Sequence, residues 1–404
     1  MARKVSRVSK RADMLRTASQ VRVPDACDVC VIGGGAAGLA AAIAAAVAGA
    51  RVLVLERDLE CGRTILVTGN GRCNFANRHL DPNLYNNSEF VEGTCGPSWL
   101  DDVLGFFDSC GLAWAEEAEG RLYPLSRQAA SVRNVLLLRA QDAGVVLAPA
   151  REVTHLAKRG SAYSITFSEL WDGGRMQTVC ATSVVCAVGG AATSLYAELG
   201  LKVVSPTPLL CPLACKGPAL DKLDGRRVRA TAQLRRAKRT VAQESGEVLF
   251  RSYGLSGIAI FNLSRHAQPG DMLALDLLPM LSTQDTRRLG ASTLDGILDP
   301  AIAQALVQAS GSPSDALTLA KSLAFIVVGT AETERAQVRR GGLSVEQFDP
   351  ATLEARSAPC LFACGEALDV DGPCGGYNLA WAWKSGMVAG NSAARGATTK
   401  EEER

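Results

Sequence analysis

Histidine is scarce in this chain. His79, His155 and His266 are the only three in 404 residues, and no two are spaced as metal ligands, so no metal centre is expected. Charge of one sign is missing too: 43 Lys and Arg face 41 Asp and Glu for a net of +2, so no bulk field drives the chain onto nucleic acid or an anionic membrane. No apolar run is long enough to span a membrane, because the glycine cluster and Arg51 divide Val29 to Leu55 into strand, helix and strand. The first 24 residues hold Arg3, Lys4, Arg7, Lys10, Arg11, Arg16 and Arg22 without the apolar core of a signal peptide, and 1–25 read as a flexible basic tail. Repeats at solenoid periods are absent. The 13 cysteines are odd in number and scattered through apolar strands, which excludes a disulfide framework and fits a reducing cytoplasm. Cys27 and Cys30 form a CxxC at a strand start, with no helix N-terminus to activate a thiol and no second pair for zinc, so neither a redox nor a metal role is expected there.

What is present is a chain with 47% hydrophobic and 21% charged residues, enough to bury a sizeable core in two or three lobes. Strand, glycine turn, helix and strand fill Asp28 to Glu56, the opening of a doubly wound sheet. Helices are expected from a cap at Ser98 to Gly111 and over Gln128 to Ala143, followed by a β-meander over Arg151 to Phe167 and Val179 to Val188. From Leu201 to Phe250 the period shortens: Val228, Ala230, Ala232 and Leu234 alternate with Arg229, Thr231, Gln233 and Arg235, as in a β-rich second lobe. Between Ser282 and Ser322 the period is helical, with Pro300 and Pro313 at first turns. Strand-like sequence resumes at Phe325, and Cys360 to Gly390 read as strand, loop and helix returning to the first domain.

Gly33, Gly35 and Gly38 form GxGxxG between the apolar strand Val29 to Ile32 and an alanine-rich helix that includes Ala37. The first glycine allows the tight turn, the second lets backbone approach a pyrophosphate, and the third lets helix and strand pack closely. The phosphates would lie at the positive end of that helix, and Glu56, ending the next strand, is placed to accept from adenosine ribose hydroxyls. The motif alone does not choose between FAD and NAD. Gly365, Glu366, Asp371, Gly375, Gly376, Asn378 and Leu379 lead into a second helix whose N-terminus would suit the longer FAD, its positive end favouring charge on a reduced flavin.

These residues, with GRTILVTGNGRCNFAN (Gly62 to Asn77), GRLYPLS (Gly120 to Ser126), YGLSG (Tyr253 to Gly257), AQVRRGG (Ala336 to Gly342) and GEALDVDGPCGGYNLAWAW (Gly365 to Trp383), resemble the BaiN/YhiN family of NAD(P)/FAD-dependent oxidoreductases, to which the aminoacetone oxidase type also belongs. The resemblance runs from Asp28 to Gly390. It implies an α/β protein: a Rossmann-like FAD-binding domain, a doubly wound sheet with β-meander, from 26–195 and 346–396; a β-barrel-like second domain from 196–281 and 323–345; and a small helical insertion at 282–322. It further implies that Gly33, Gly35, Gly38, Glu56 and Arg57 hold adenosine and pyrophosphate. Arg63, Thr68, Gly69, Gly71, Arg72, Cys73 and Asn74 would line the flavin with Gly189 nearby, and Val153 would meet the adenine through its backbone. Gly365, Asp371, Gly376, Asn378 and Leu379 would complete the ring end. The chain departs from the family at Thr64, Asn70, Ser252, Ile258 and in a shortened loop after Gly190.

Because flavin carries out hydride transfer itself, the sequence demands no dedicated acid or base and assigns no catalytic residue, with Arg72, Asn74, Arg121, Tyr123, Ser126 and Tyr253 as the candidates for a catalytic role. Cys73 stands beside the flavin-lining residues, but Cys61 is too far upstream for a dithiol loop, so a packing role is expected. No second GxGxxG is present, so NAD(P)H would dock transiently as electron donor. The expected activity is hydride transfer to a small unsaturated organic substrate, with amine oxidation as the nearest alternative. The basic strip from Lys222 to Arg239 raises an RNA-binding or RNA-modifying flavoprotein as an alternative of another class, but it lacks interleaved aromatics and reads as a charged edge strand.

Overall fold

The computed structural model describes residues 7–189, 195, 200–218, 220–282, 285 and 291–402. The chain forms two compact units: Met1–Pro206 with Arg340–Arg404, and Thr207–Arg339. The expected helical insertion therefore falls inside the second unit, and the shortened loop after Gly190 lies almost wholly outside the described residues.

The first unit is built on a seven-stranded sheet. Its order is Val146–Ala148, Val52–Leu55, Ala26–Ile32, Arg175–Cys186, Ala162–Glu169, Arg151–Arg159, and Leu361–Ala363 pairs with the end of Arg175–Cys186. The central strands are parallel and buried on both faces, which is why they read as continuous apolar runs, whereas the last three form an antiparallel meander. Two helices pack on each other beside this sheet, Ala36–Val47 after the glycine turn and Tyr377–Glu402 at the C-terminus.

The C-terminal helix is longer than the expected Leu379 to Val388. Gly386 and Gly390 are where the helices touch: a Cβ on Gly386 would lie 2.4 Å from the Ala37 carbonyl oxygen, and one on Gly390 would lie 2.2 Å from that of Ala41.

The segment expected to be a flexible basic tail is helical from Arg7 to Ser19. Its end is held by Arg151, 2% exposed, which donates to the carbonyls of Ala18 (3.3 Å), Val21 (2.7 Å) and Pro149 (3.1 Å) and stacks 4.5 Å from the Trp171 ring centre. Glu169, also buried, lies 3.8 Å away. Arg151→Ala leaves that carboxylate without its cation, and a loss of about 3–5 kcal/mol is expected in urea unfolding, with early proteolysis near Val21.

The second unit closes six strands into a barrel: Leu213–Lys216, Gly254–Ser256, Arg239–Arg251, Arg227–Arg236, Met272–Asp276 and Leu323–Thr330. Ala230, Ala232 and Leu234 face its core, as their alternation requires. Helices Pro300–Ser310 and Pro313–Ala320 pack on the same core, and their first turns are capped by the Asp299 and Ser312 side chains.

Candidate functional site

Gly33 adopts φ +102, a conformation that disfavours L side chains, and a Cβ on Gly38 would lie 1.9 Å from the Gly33 carbonyl oxygen. These two glycines are required by the turn itself. Gly35 differs: its φ of −77 suits any residue, and an added Cβ would meet only the Thr64 hydroxyl, at 3.5 Å. The helix it opens has no side-chain cap among the described residues, which leaves its first amides for a ligand. Open space at this one glycine and an uncapped helix start fit a pyrophosphate. Thr64, noted in sequence only as a departure from the family, borders the same open space.

Glu56 accepts from the Gly34 amide (2.5 Å) and the Asp58 amide (2.6 Å), and burial pushes its pKa up despite these bonds. The carboxylate braces the glycine turn, leaving its remaining lone pairs for a ribose. Arg151 donates its amide to the Glu56 carbonyl, which places the start of strand Arg151–Arg159 beside Glu56, and the ladder slips between Val153 and His155. Such a bulge frees backbone groups next to Val153. Arg57 is exposed, and Arg63 lies 3.5 Å from Asp58. Gly189 has φ +68 with open space around it.

The segment Arg63–Gly71 is a kinked 3-10 helix. Thr68 leaves helical geometry at ψ 146, and Gly69 and Asn70 are left-handed at φ 54 and 56. Asn70 replaces a family glycine with the side chain that best tolerates this conformation. Thr68 donates to the Ile65 carbonyl, and Gly71 borders open space. Cys73 is fully buried and its thiol is pushed up to about 11, chiefly by burial, which suits the expected packing role and not a reactive thiolate.

Asn74 is 8% exposed, and its side-chain oxygen is buried without a hydrogen-bond partner among the described residues. That oxygen would lie 3.0 Å from a Cβ on Gly376, at the start of the C-terminal helix. An orphaned acceptor at a glycine-lined helix N-terminus fits a polar flavin edge. The other polar residues of this loop are committed to the protein. The Asn378 side chain accepts from the Gly372 amide and donates to the carbonyls of Gly372 and Pro373. The Gly365 amide donates to Ser385, and its carbonyl accepts from Trp381. Gly375 receives the Asn77 side chain at its carbonyl, and Leu379 is half-buried in the first turn.

Asp371, 1% exposed, is gripped by Arg340 through two bonds of 2.7 and 2.9 Å. Sequence reading singled out the AQVRRGG motif but gave Arg340 no role; the pairing is long-range and nothing local signals it. Glu366 is pushed up to about 7, first by burial and then by the Asp371 charge. A carboxyl raised in the folded state adds stability below its ordinary value near 4.5 and loses it as pH rises through about 7. Glu366→Gln is therefore expected to remove that part of the decline in unfolding free energy over this pH window, measured by urea titration at successive pH values.

Of the catalytic candidates, the fold brings Arg72, Asn74 and Tyr123 together. The Arg72 guanidinium lies 4.9 Å from the Tyr123 ring centre, and a Cβ on Gly69 would meet both the Asn74 amide and the Tyr123 ring. Arg121 is paired to Glu119, and Ser126 bonds Ser131 and the Gln128 amide at a helix start. Tyr253 belongs to the second unit, where its hydroxyl donates to Glu332 at 3.0 Å.

A family model described as HI0933-like protein Rossmann domain matches residues 27–392. The chain belongs to the HI0933-like family. It is an FAD-binding oxidoreductase with a Rossmann-like domain and a second, barrel domain. Among relatives of this HI0933-like protein, the 3-dehydro-bile acid delta(4,6)-reductase of Clostridium scindens is 32% identical over 90% of this chain and 98% of its own. The ribosomal RNA dihydrouridine synthase of Escherichia coli is 29% identical over 89% and 96%. The solved 3-ketosteroid-delta4-(5alpha)-dehydrogenase of Rhodococcus jostii RHA1 shares the fold at a TM-score of 0.50 and 17% identity, covering 93% of this chain and 99% of that one. No helix among the described residues is long and apolar enough to cross a membrane.

Proposed function

We propose that this protein is a NAD(P)H-linked reductase that saturates a carbon–carbon double bond conjugated to a carbonyl. The observation that supports it most is the full-length similarity to the bile acid reductase. The second relative's name points to the same chemistry, since forming dihydrouridine also saturates a double bond in conjugation with a carbonyl. FAD, when bound, supplies the hydride. The protein's part is to hold the phosphates at Gly33–Gly38, to set the ring end against Asn74 and Gly376, and to supply hydrogen-bond donors for the carbonyl.

Of the two substrate classes, a small molecule is favoured over RNA by the state of the basic strip. Arg226 pairs with Asp299, Arg227 with Glu247, and Arg236 grips Asp271 through two bonds of 2.8 Å, so three of its eight basic side chains already face a carboxylate. Anaerobic mixing with NADH or NADPH should bleach the bound flavin rapidly. Bleaching by an amine alone would favour the oxidase reading, and salt-sensitive RNA binding would favour the nucleic-acid one.

A further inference from the structure

We infer that Tyr123 and Arg72 form the carbonyl-binding and proton-donating edge of the flavin site, an inference that rests on the reductase reading above. Tyr123 is 5% exposed, yet its hydroxyl has no hydrogen-bond partner among the described residues. The ring is buried while the hydroxyl is not among the enclosed unpartnered polar atoms, so its oxygen reaches accessible space, where a ligand can meet it. Its strand, Arg121–Pro124, is the centre of a three-stranded sheet with Ala76–Asn77 and Trp114–Glu116. Leu122 faces the core, so alternation turns Tyr123 to the opposite face, beneath the loop that carries Gly69 and Asn74.

Arg72 lies over the ring, 44% exposed, with its nearest anion, Glu117, 3.9 Å away and already 3.0 Å from Arg127. Its donors are therefore not saturated by an ion pair. Tyr123 and Arg72 thus present a phenolic hydroxyl and a guanidinium, next to the orphaned acceptor of Asn74.

Such a pair suits a planar enone. Hydride delivered to the β-carbon moves the π electrons onto the carbonyl oxygen, where hydrogen bonds from Arg72 stabilise the developing enolate. Tyr123 then gives its proton to the α-carbon as the enolate collapses to the saturated ketone, and the phenolate is reprotonated by water. Both electrons come from NAD(P)H by way of the flavin, so the balance is one hydride and one proton per double bond.

The test uses the holoenzyme and two probes. Tyr123→Phe keeps the ring under Arg72 and removes only the hydroxyl. Flavin content and the rate of flavin reduction by NAD(P)H should be unchanged. Reoxidation of the reduced enzyme by a 4-ene-3-oxo steroid acid should slow by about a hundredfold to a thousandfold. Flavin absorbance titration with the saturated 3-oxo steroid acid, which cannot accept the hydride, should show binding weakened about tenfold or more in both Tyr123→Phe and Arg72→Met. If wild type is reoxidised by the enone and Tyr123→Phe matches it within about threefold, the assignment to Tyr123 is overturned while the reductase reading stands. If wild type does not transfer hydride to the enone, both fall together.

Discussion

Gly35→Ala is expected to fold like wild type and to lose FAD. The φ and ψ of Gly35 are open to alanine, and the new methyl would meet nothing nearer than the Thr64 hydroxyl at 3.5 Å, so the apoprotein has little reason to lose stability. That methyl would stand where backbone must approach the pyrophosphate. A rise in the FAD dissociation constant of about a hundredfold or more is expected, read by flavin fluorescence on reconstitution, with the apoprotein melting temperature unchanged. Gly38→Ala should behave in the opposite manner. Its methyl would collide with the Gly33 carbonyl, separating helix from strand and destabilising the fold whether or not FAD is present. The contrast distinguishes a glycine kept for a ligand from one kept for packing.

The second large effect is at Arg340. Its guanidinium is the cation bonded to both oxygens of the nearly inaccessible Asp371, and the loop around that aspartate is further tied by Asn86 and Asn87 to Asp369 and Asp371. The Gly341 amide donates to the Asp369 carboxylate, and a Cβ on Gly342 would strike the Ala367 carbonyl at 2.7 Å, so Arg340, Gly341 and Gly342 together seat the loop before the C-terminal helix. Arg340→Ala takes the guanidinium away from a buried carboxylate and should cost about 3–5 kcal/mol in urea unfolding. Flavin retention should fall with it. Replacing both partners, Arg340→Met with Asp371→Leu, should recover most of the stability, because an apolar pair avoids the buried charge. If the double variant were as unstable as the single one, the loss would not come from removing the guanidinium beside the buried aspartate.

The parts of this account that were legible in sequence are those written locally. The glycine turn, the apolar strands around it and Glu56 lie within a short stretch whose spacing carries its own physical reason, and the alternation of Ala230, Ala232 and Leu234 exposed a barrel strand. Pro300 and Pro313 marked helix starts because proline at a first turn forfeits no hydrogen bond. What was not legible depended on partners distant in the chain. Arg151 reads as one more charged strand residue until its bonds to Ala18 and Val21 are seen, and the basic tail it seats therefore looked unstructured. Gly386 and Gly390 carry no local sign of their packing role, because their close contacts are with Ala37 and Ala41. Asp371 and Asn378 carry the family pattern, yet their side chains are consumed by Arg340 and the Gly372 turn, so they support the ring-end loop through protein contacts. Asn74, by contrast, stands out only when a count of hydrogen bonds leaves its side-chain oxygen unsatisfied, and Tyr123 only when the fold sets it beside Arg72.

The claim on which the rest depends is that electrons leave this flavin for a conjugated double bond. Anaerobic titration of the NAD(P)H-reduced holoenzyme with a 4-ene-3-oxo steroid acid addresses it directly. The account requires stoichiometric return of oxidised flavin absorbance together with a product heavier by a hydrogen pair. Reduced flavin that ignored the enone and was reoxidised only by oxygen would contradict it.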